Sequence, residues 1–268
     1  MFDDVLPPTD RGLHYGDGLF ETMAVEAGRI RLLERHMHRL AWGAACLAIP
    51  LPSQDALADS LHLAARELGE GVLKLILTRG SGGRGYAPPA VAEPGLVLLR
   101  YPQALPALEP LPVGIRVRRC DLRLARQPRL AGIKHLNRLE YVLARAEWKD
   151  ATLAEGLLWD CEGELIEATT SNVFLFHDGK LFTPMLDQCG VAGVMRAEVM
   201  ACAGRLGMAV EEARLRLEDL LAADEVFLSN SLHGIRSVRA LHGEREWPLG
   251  EIARALHSAL RADLRVAL

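Results

Sequence analysis

The sequence predicts an α+β protein built as two unequal domains, and three observations carry that reading. Apolar residues repeat at helical spacing in some stretches and form short, strand-length runs in others. Pro102, Pro106, Pro110 and Pro112 crowd a stretch that can hold neither a continuous helix nor a central strand. Asp178-Gly179 separates two apolar runs, the strongest short hairpin signal. The prolines place a linker at about 105–112, between a smaller domain over 1–104 and a larger one over 113–268, with a cleft between the two.

In chain order, Met37, Leu40, Ala41, Ala44, Leu47 and Ala48 predict a helix, as do Leu57, Leu61, Ala64, Ala65 and Leu68. Val72 to Thr78 and Leu96 to Tyr101 read as strands. Gly114 to Arg119 alternates, with Ile115 and Val117 on one face and Arg116 and Arg118 on the other. A helix carrying Leu139, Val142, Leu143 and Ala146 follows, then strands over Val173–His177 and Lys180–Thr183 joined by the hairpin turn. Met195, Val199, Cys202 and Leu206 mark one late helix; Leu249, Ile252, Ala253, Leu256 and Leu260 mark another.

The 268 residues carry a net charge of −4, with no basic excess to attract nucleic acid. No apolar run approaches the roughly 20 residues that span a bilayer, and the N-terminus MFDDVLPPTD lacks the basic, apolar opening of a signal peptide. Five cysteines without a Cys-x-x-Cys pair suit free thiols in a reducing cytoplasm. The expectation is a cytoplasmic protein acting on a small molecule, without nucleic acid or membrane.

Gly80, Gly82 and Gly85 satisfy G-x-G-x-x-G, but the prolines of YAPPAVAEPG forbid the helix that a dinucleotide fingerprint requires. What remains is a glycine-rich loop presenting Arg79, Arg84 and Tyr86, either an anion-holding loop or a flexible turn. His36 and His38 do not share a helix face and cannot chelate one metal. Only four lysines occur, at 74, 134, 149 and 180. Three have ordinary solvated readings. Lys134 stands after a glycine at a helix entrance among apolar neighbours, where a lysine can become a Schiff-base nucleophile.

Seven segments in order resemble the fold-type IV pyridoxal phosphate enzymes, the family of branched-chain and D-amino acid aminotransferases. They are DRGLHYGDGLFET, LLERHMHRL, LKLILTRGSGGRGY, LAGIKHLNRLE, GELIEATTSNVFLF, LDQCGVAGVMR and ADEVFLSNS. RGSGGRGY and GIKHLNRLE are most similar to the aminodeoxychorismate lyase branch. The resemblance implies a small N-terminal α/β domain, a larger β-rich pseudobarrel domain, a homodimer and pyridoxal 5'-phosphate as cofactor. It further implies Lys134 as the cofactor lysine and Glu167 as the acid on the ring nitrogen. Arg39, the amides of Val194 and Met195, and Ser231 would hold the phosphate, and Ser171 and Asn172 would line the ring. Read alone, Glu167 could be a surface glutamate and Arg39 a solvated helix arginine.

Thr22 closes DGLFET where branched-chain aminotransferases commonly have glycine; it either assists a departing group or simply packs in a strand. The aminotransferase ring-contacting tyrosine corresponds to Leu139. The implied reaction releases pyruvate from 4-amino-4-deoxychorismate and leaves 4-aminobenzoate, for folate synthesis. Lys134 acts as base, Thr22 assists the leaving group, and Arg84, with Arg79 in reserve and Tyr86 nearby, anchors substrate carboxylate. The rivals are a transaminase on the same cofactor and a non-catalytic binding protein.

Overall fold

The structure, a computed structural model, describes residue 2 and residues 5–105 and 114–266, of which 262–266 by backbone alone. Most of the expected linker lies outside the described residues. The chain forms two compact units, the first being Met1–Leu105 together with Ile133–Arg138.

The first unit opens with α1 (Arg11–Tyr15), β1 (Gly18–Glu26) and β2 (Arg29–Ile30), and continues through α2 (Leu33–Leu47), α3 (Gln54–Leu68), β3 (Gly71–Thr78) and β4 (Gly95–Pro102). Its sheet is antiparallel, in the order β2-β1-β3-β4. Two-residue alternation sends Leu19, Met23, Leu73, Leu75 and Leu77 into a core shared with Leu40 and Ala44 of α2 and Leu57 and Leu61 of α3. The same alternation leaves Phe20 and Thr22 on the opposite face of β1, with Thr22 directly across from Lys74. Ile133 joins this core, which is why the 133–138 segment belongs to the first unit although it follows the proline-rich stretch in sequence.

The second unit contains β5 (Ile115–Leu124), α4 (Leu139–Ala146), β6 (Leu153–Asp160), β7 (Leu165–Ala168), β8 (Asn172–His177), β9 (Lys180–Pro184), α5 (Val194–Arg205), β10 (Val210–Ala213), α6 (Leu217–Ala222), β11 (Glu225–Asn230), β12 (Gly234–Leu241), β13 (Arg245–Glu246) and α7 (Glu251–Val266). Its mixed sheet runs β10-β9-β8-β11-β12-β5-β6-β7, with β13 on β12. The sheet curls: β7 turns back into β8 through the Ala168 N–H to Ser171 C=O hydrogen bond of 2.7 Å. Asp178 and Gly179 both adopt positive φ (47° and 76°), the tight hairpin geometry that pairs β8 with β9.

At three helices, apolar residues that mark them in the sequence are exposed. The expected helix at Leu139 forms as α4, yet Leu139, Val142 and Leu143 are exposed and Ala144 is its buried residue. Periodicity marks an apolar face without saying what covers it. Leu206 and Leu249 lie just outside α5 and α7 and are exposed.

Candidate active site

The candidate residues form groups within each unit. In the first, Lys134 is held beside β1 by an isolated bridge at His135: the Lys134 C=O accepts the Phe20 N–H at 3.0 Å, and the Leu136 N–H donates to the Gly18 C=O at 3.0 Å. The Lys134 ammonium lies 4.3 Å from the centroid of the Phe20 ring, and the Lys74 ammonium 5.2 Å from the same centroid. Lys74 was read from sequence as an ordinary solvated strand lysine. The structure instead places it on the face of Thr22 and Phe20.

Behind that strand, buried Glu21 accepts Arg39 Nε–H at 2.8 Å and His36 Nδ1–H at 2.6 Å. Burial raises the Glu21 pKa, but the Arg39 charge and the His36 and Arg39 hydrogen bonds outweigh it and bring it down to about 2. Burial lowers the His36 pKa, with Glu21 partly opposing it, and its buried Nε2 has no hydrogen-bond partner among the described residues. Arg39 is therefore a buried, oriented cation and not a solvated helix arginine. His38 is exposed, as its place on the other helix face requires.

Of the expected substrate anchors, Arg79 is committed elsewhere. Its guanidinium donates to both Asp17 oxygens, at 2.8 and 3.0 Å, and to the Ala48 and Leu47 carbonyls at 2.8 and 2.7 Å. These contacts close the C-terminus of α2 against the turn before β1, so Arg79 is a clamp. Arg11 shares Asp17 at 2.9 Å and gathers the glycine loop through the carbonyls of Gly85, Tyr86 and Ala87. Arg84 and Tyr86 are exposed on that loop, and the Tyr86 ring meets Tyr15 edge-on at 5.3 Å.

In the second unit, Glu167 on β7 is buried, and three donors fix its carboxylate: the Tyr141 hydroxyl, Asn172 Nδ2 at 3.3 Å and the Val191 N–H at 3.1 Å. Tyr141 was missed in the sequence; Leu139, at the aminotransferase tyrosine position, is exposed, and the phenol that meets Glu167 comes from two residues later. Asn172 also donates to the Val191 C=O at 2.8 Å. Gly193 packs so closely on it that a Cβ there would lie 2.0 Å from Asn172 Oδ1.

No side chain caps α5, which starts at Val194 after Gly193, so the amides of Val194 and Met195 head a helix whose N-terminus suits an anion. Ser231 lies in the turn between β11 and β12, shaped by Asn230 Oδ1 accepting the Leu232 and His233 N–H groups at 3.0 and 2.8 Å. Asn230 Nδ2 reaches Ser171 Oγ at 3.1 Å, and Ser171 donates to buried Glu155 at 2.6 Å. Arg236 closes onto Glu155 as well. Ser171 thus belongs to a buried network behind Asn172.

Within the second unit, a carboxylate fixed by Tyr141, Asn172 and the Val191 amide and an uncapped helix N-terminus suit the ring nitrogen and the phosphate of a pyridine cofactor; the first unit offers an oriented arginine, Arg39, and Lys134. Among the described residues no cluster of His, Cys, Asp or Glu could hold a metal ion, and no helix is long and apolar enough to cross a membrane.

Residues 18–241 match the family described as amino-transferase class IV. A curated aminodeoxychorismate lyase of Vibrio harveyi is 35% identical over 258 residues, covering 95% of each chain. The crystal structure of 4-amino-4-deoxychorismate lyase from Pseudomonas aeruginosa superposes with a TM-score of 0.93 at 52% identity, covering 98% of this chain and 96% of that one. An Escherichia coli branched-chain amino acid aminotransferase superposes with a TM-score of 0.85 at 25% identity, covering 97% and 90%.

Proposed function

The chain belongs to the amino-transferase class IV family, and from that premise we propose that it is a pyridoxal phosphate-dependent lyase converting 4-amino-4-deoxychorismate to 4-aminobenzoate and pyruvate. The observation that carries this reading is the Phe20 ring with the Lys134 and Lys74 ammonium groups over it, on the β1 face that also bears the Thr22 hydroxyl. A base, a hydroxyl and a second cation on one face suit an elimination from an anionic substrate. The two lyases above support it further.

When bound, the cofactor supplies an electron sink for the pair released at the carbon bearing the substrate nitrogen. Lys134 would hold the cofactor and, as general base, would take the proton from this carbon. Glu167, fixed by Tyr141, Asn172 and the Val191 amide, would keep a proton on the ring nitrogen. In the first unit Arg39, oriented by Glu21, would meet the phosphate; in the second, the α5 amides of Val194 and Met195 and the Ser231 hydroxyl would do so. Ser171, held by Glu155 and Asn230, would line the ring with Asn172. Thr22 donates to the departing enolpyruvyl oxygen, whose C–O bond breaks as the carbocycle becomes aromatic. Lys74 and Arg84 meet substrate carboxylates, with Tyr86 beside Arg84.

The same proposal includes a homodimer. Leu139, Val142 and Leu143 share one face of α4 at 75%, 60% and 60% exposure, an apolar surface suited to a second copy. Cytoplasmic residence and supply of a folate precursor complete it.

Aminodeoxychorismate incubated with the purified enzyme tests the reaction. Pyruvate forming without any 2-oxo acid acceptor supports the lyase. Turnover that requires 2-oxoglutarate and accumulates glutamate identifies a transaminase instead, and a protein unable to take up cofactor identifies a binding module.

A further inference from the structure

Residues 133–138 run beside β1, bridged to it at His135, with an inner edge toward β1 and an outer edge away from it. Along the inner edge, Lys134 C=O and Leu136 N–H pair with β1 at 3.0 Å each. Carbonyls two residues apart point the same way in extended backbone, and those of Ile133 and His135 share the outer edge. Arg138 reaches both: its Nε–H donates to His135 C=O at 2.8 Å, and its Nη2–H to Ile133 C=O at 3.2 Å. Next to it, Asn137 Nδ2 donates to Gly16 C=O at 3.3 Å, and a Cβ on Gly16 would lie 2.4 Å from Asn137 Oδ1. The carbonyls before, at and after Lys134 are thus all held.

We infer that Arg138 is a positioning residue for Lys134: its fork bridges the peptide carbonyls on both sides of the lysine and sets where the amine is delivered. The planar guanidinium spans two acceptors at once, which a lysine ammonium does not match. It needs no contact with substrate or cofactor to do this. Proton transfer is sensitive to placement, a displacement of about 1 Å costing on the order of 10²-fold in rate. This role rests on Lys134 holding the cofactor, as proposed above.

The test uses cofactor-loaded wild type, R138K, R138Q and R138A, with rates normalised to bound cofactor, visible circular dichroism of the bound cofactor, and borohydride trapping on Lys134. In R138A and R138Q, kcat falls roughly tenfold to a hundredfold while KM stays within about threefold, and the visible dichroism changes; R138K recovers part of kcat. A kcat per loaded subunit equal to wild type, with unchanged dichroism, would overturn the inference. So would a rise in KM alone, which would make Arg138 a substrate contact. If R138A does not fold, R138K and R138Q carry the same comparison. Failure of borohydride to trap cofactor on wild-type Lys134 overturns the lysine assignment first, and is thereby distinct from failure of the clamp.

Discussion

Glu21 holds Arg39 side-on from inside the first unit, taking Nε–H on one carboxylate oxygen and Nη2–H on the other. Removing the charge from one partner of a buried pair leaves the other uncompensated, at a cost of about 3–5 kcal/mol. E21Q is therefore expected to lower urea-unfolding stability by an amount on that scale and to weaken cofactor affinity, measured by absorbance titration.

The same pair sets an acid limit. Glu21 has a folded pKa of about 2 against an ordinary value of 4.5. A carboxylate with a depressed folded pKa contributes stability that is full above its unfolded value and is lost as pH falls through the folded one. The stability difference between wild type and E21Q should therefore be constant above about pH 5.5 and shrink from there toward pH 2. Equal loss in both proteins over that window would contradict the account.

Arg79 and Arg84 should separate cleanly. R79A removes a clamp whose donors fill Asp17 and two helix-terminal carbonyls, and should lower the melting temperature with stability falling by several kcal/mol, about 3–5. Exposed Arg84 should tolerate alanine within about 0.5 kcal/mol, yet R84A should raise KM about tenfold or more, consistent with loss of a charge-assisted contact of about 1.5–3 kcal/mol.

Gly193 offers a steric test of the ring-binding side. A methyl group there would drive into Oδ1 of Asn172, whose Nδ2 donates to Glu167 and to the Val191 carbonyl. G193A should weaken cofactor binding by at least about tenfold, in line with the effect of disturbing groups that orient a site's ligands, while the far-ultraviolet dichroism stays native. Unchanged affinity would show that Asn172 is not part of the cofactor site.

Thr22 distinguishes a packing role from a chemical one. T22V keeps the β-branched shape that suits β1 and should fold normally, but should lose about 10²-fold or more in kcat, the lower range for proton-transfer assistance. T22S should retain most of it. Equal activity in both variants would return Thr22 to a packing role.

Much of this was legible in the chain. The runs 72–78 and 96–101 became β3 and β4, and Asp178-Gly179 became the turn it predicts, because local pattern and local geometry are the same information there. Motif order marked Lys134, Glu167 and Arg39 as candidates, and the structure finds Glu167 and Arg39 buried and hydrogen-bonded. What stayed hidden depends on partners far apart in sequence. Asp17 meets Arg79 across 62 residues, and Glu155 meets Arg236 across 81. Lys74 looked solvated because alternation tells which face a side chain takes, not what else reaches that face. Residues 133–138 carry no pattern that announces their bridge to β1 at His135, although it is what presents Lys134. The apolar stripe at Leu139, Val142 and Leu143 was legible, but periodicity cannot tell a buried stripe from an exposed one, which it is here.

Borohydride reduction of the cofactor-loaded protein, followed by peptide mass analysis, tests the central claim most directly. The account predicts one modified residue, Lys134, with cofactor mass on its peptide and none on the peptides of Lys74, Lys149 or Lys180, and no modification in K134A. Trapping on another lysine, or cofactor bound without any trapping, would contradict it.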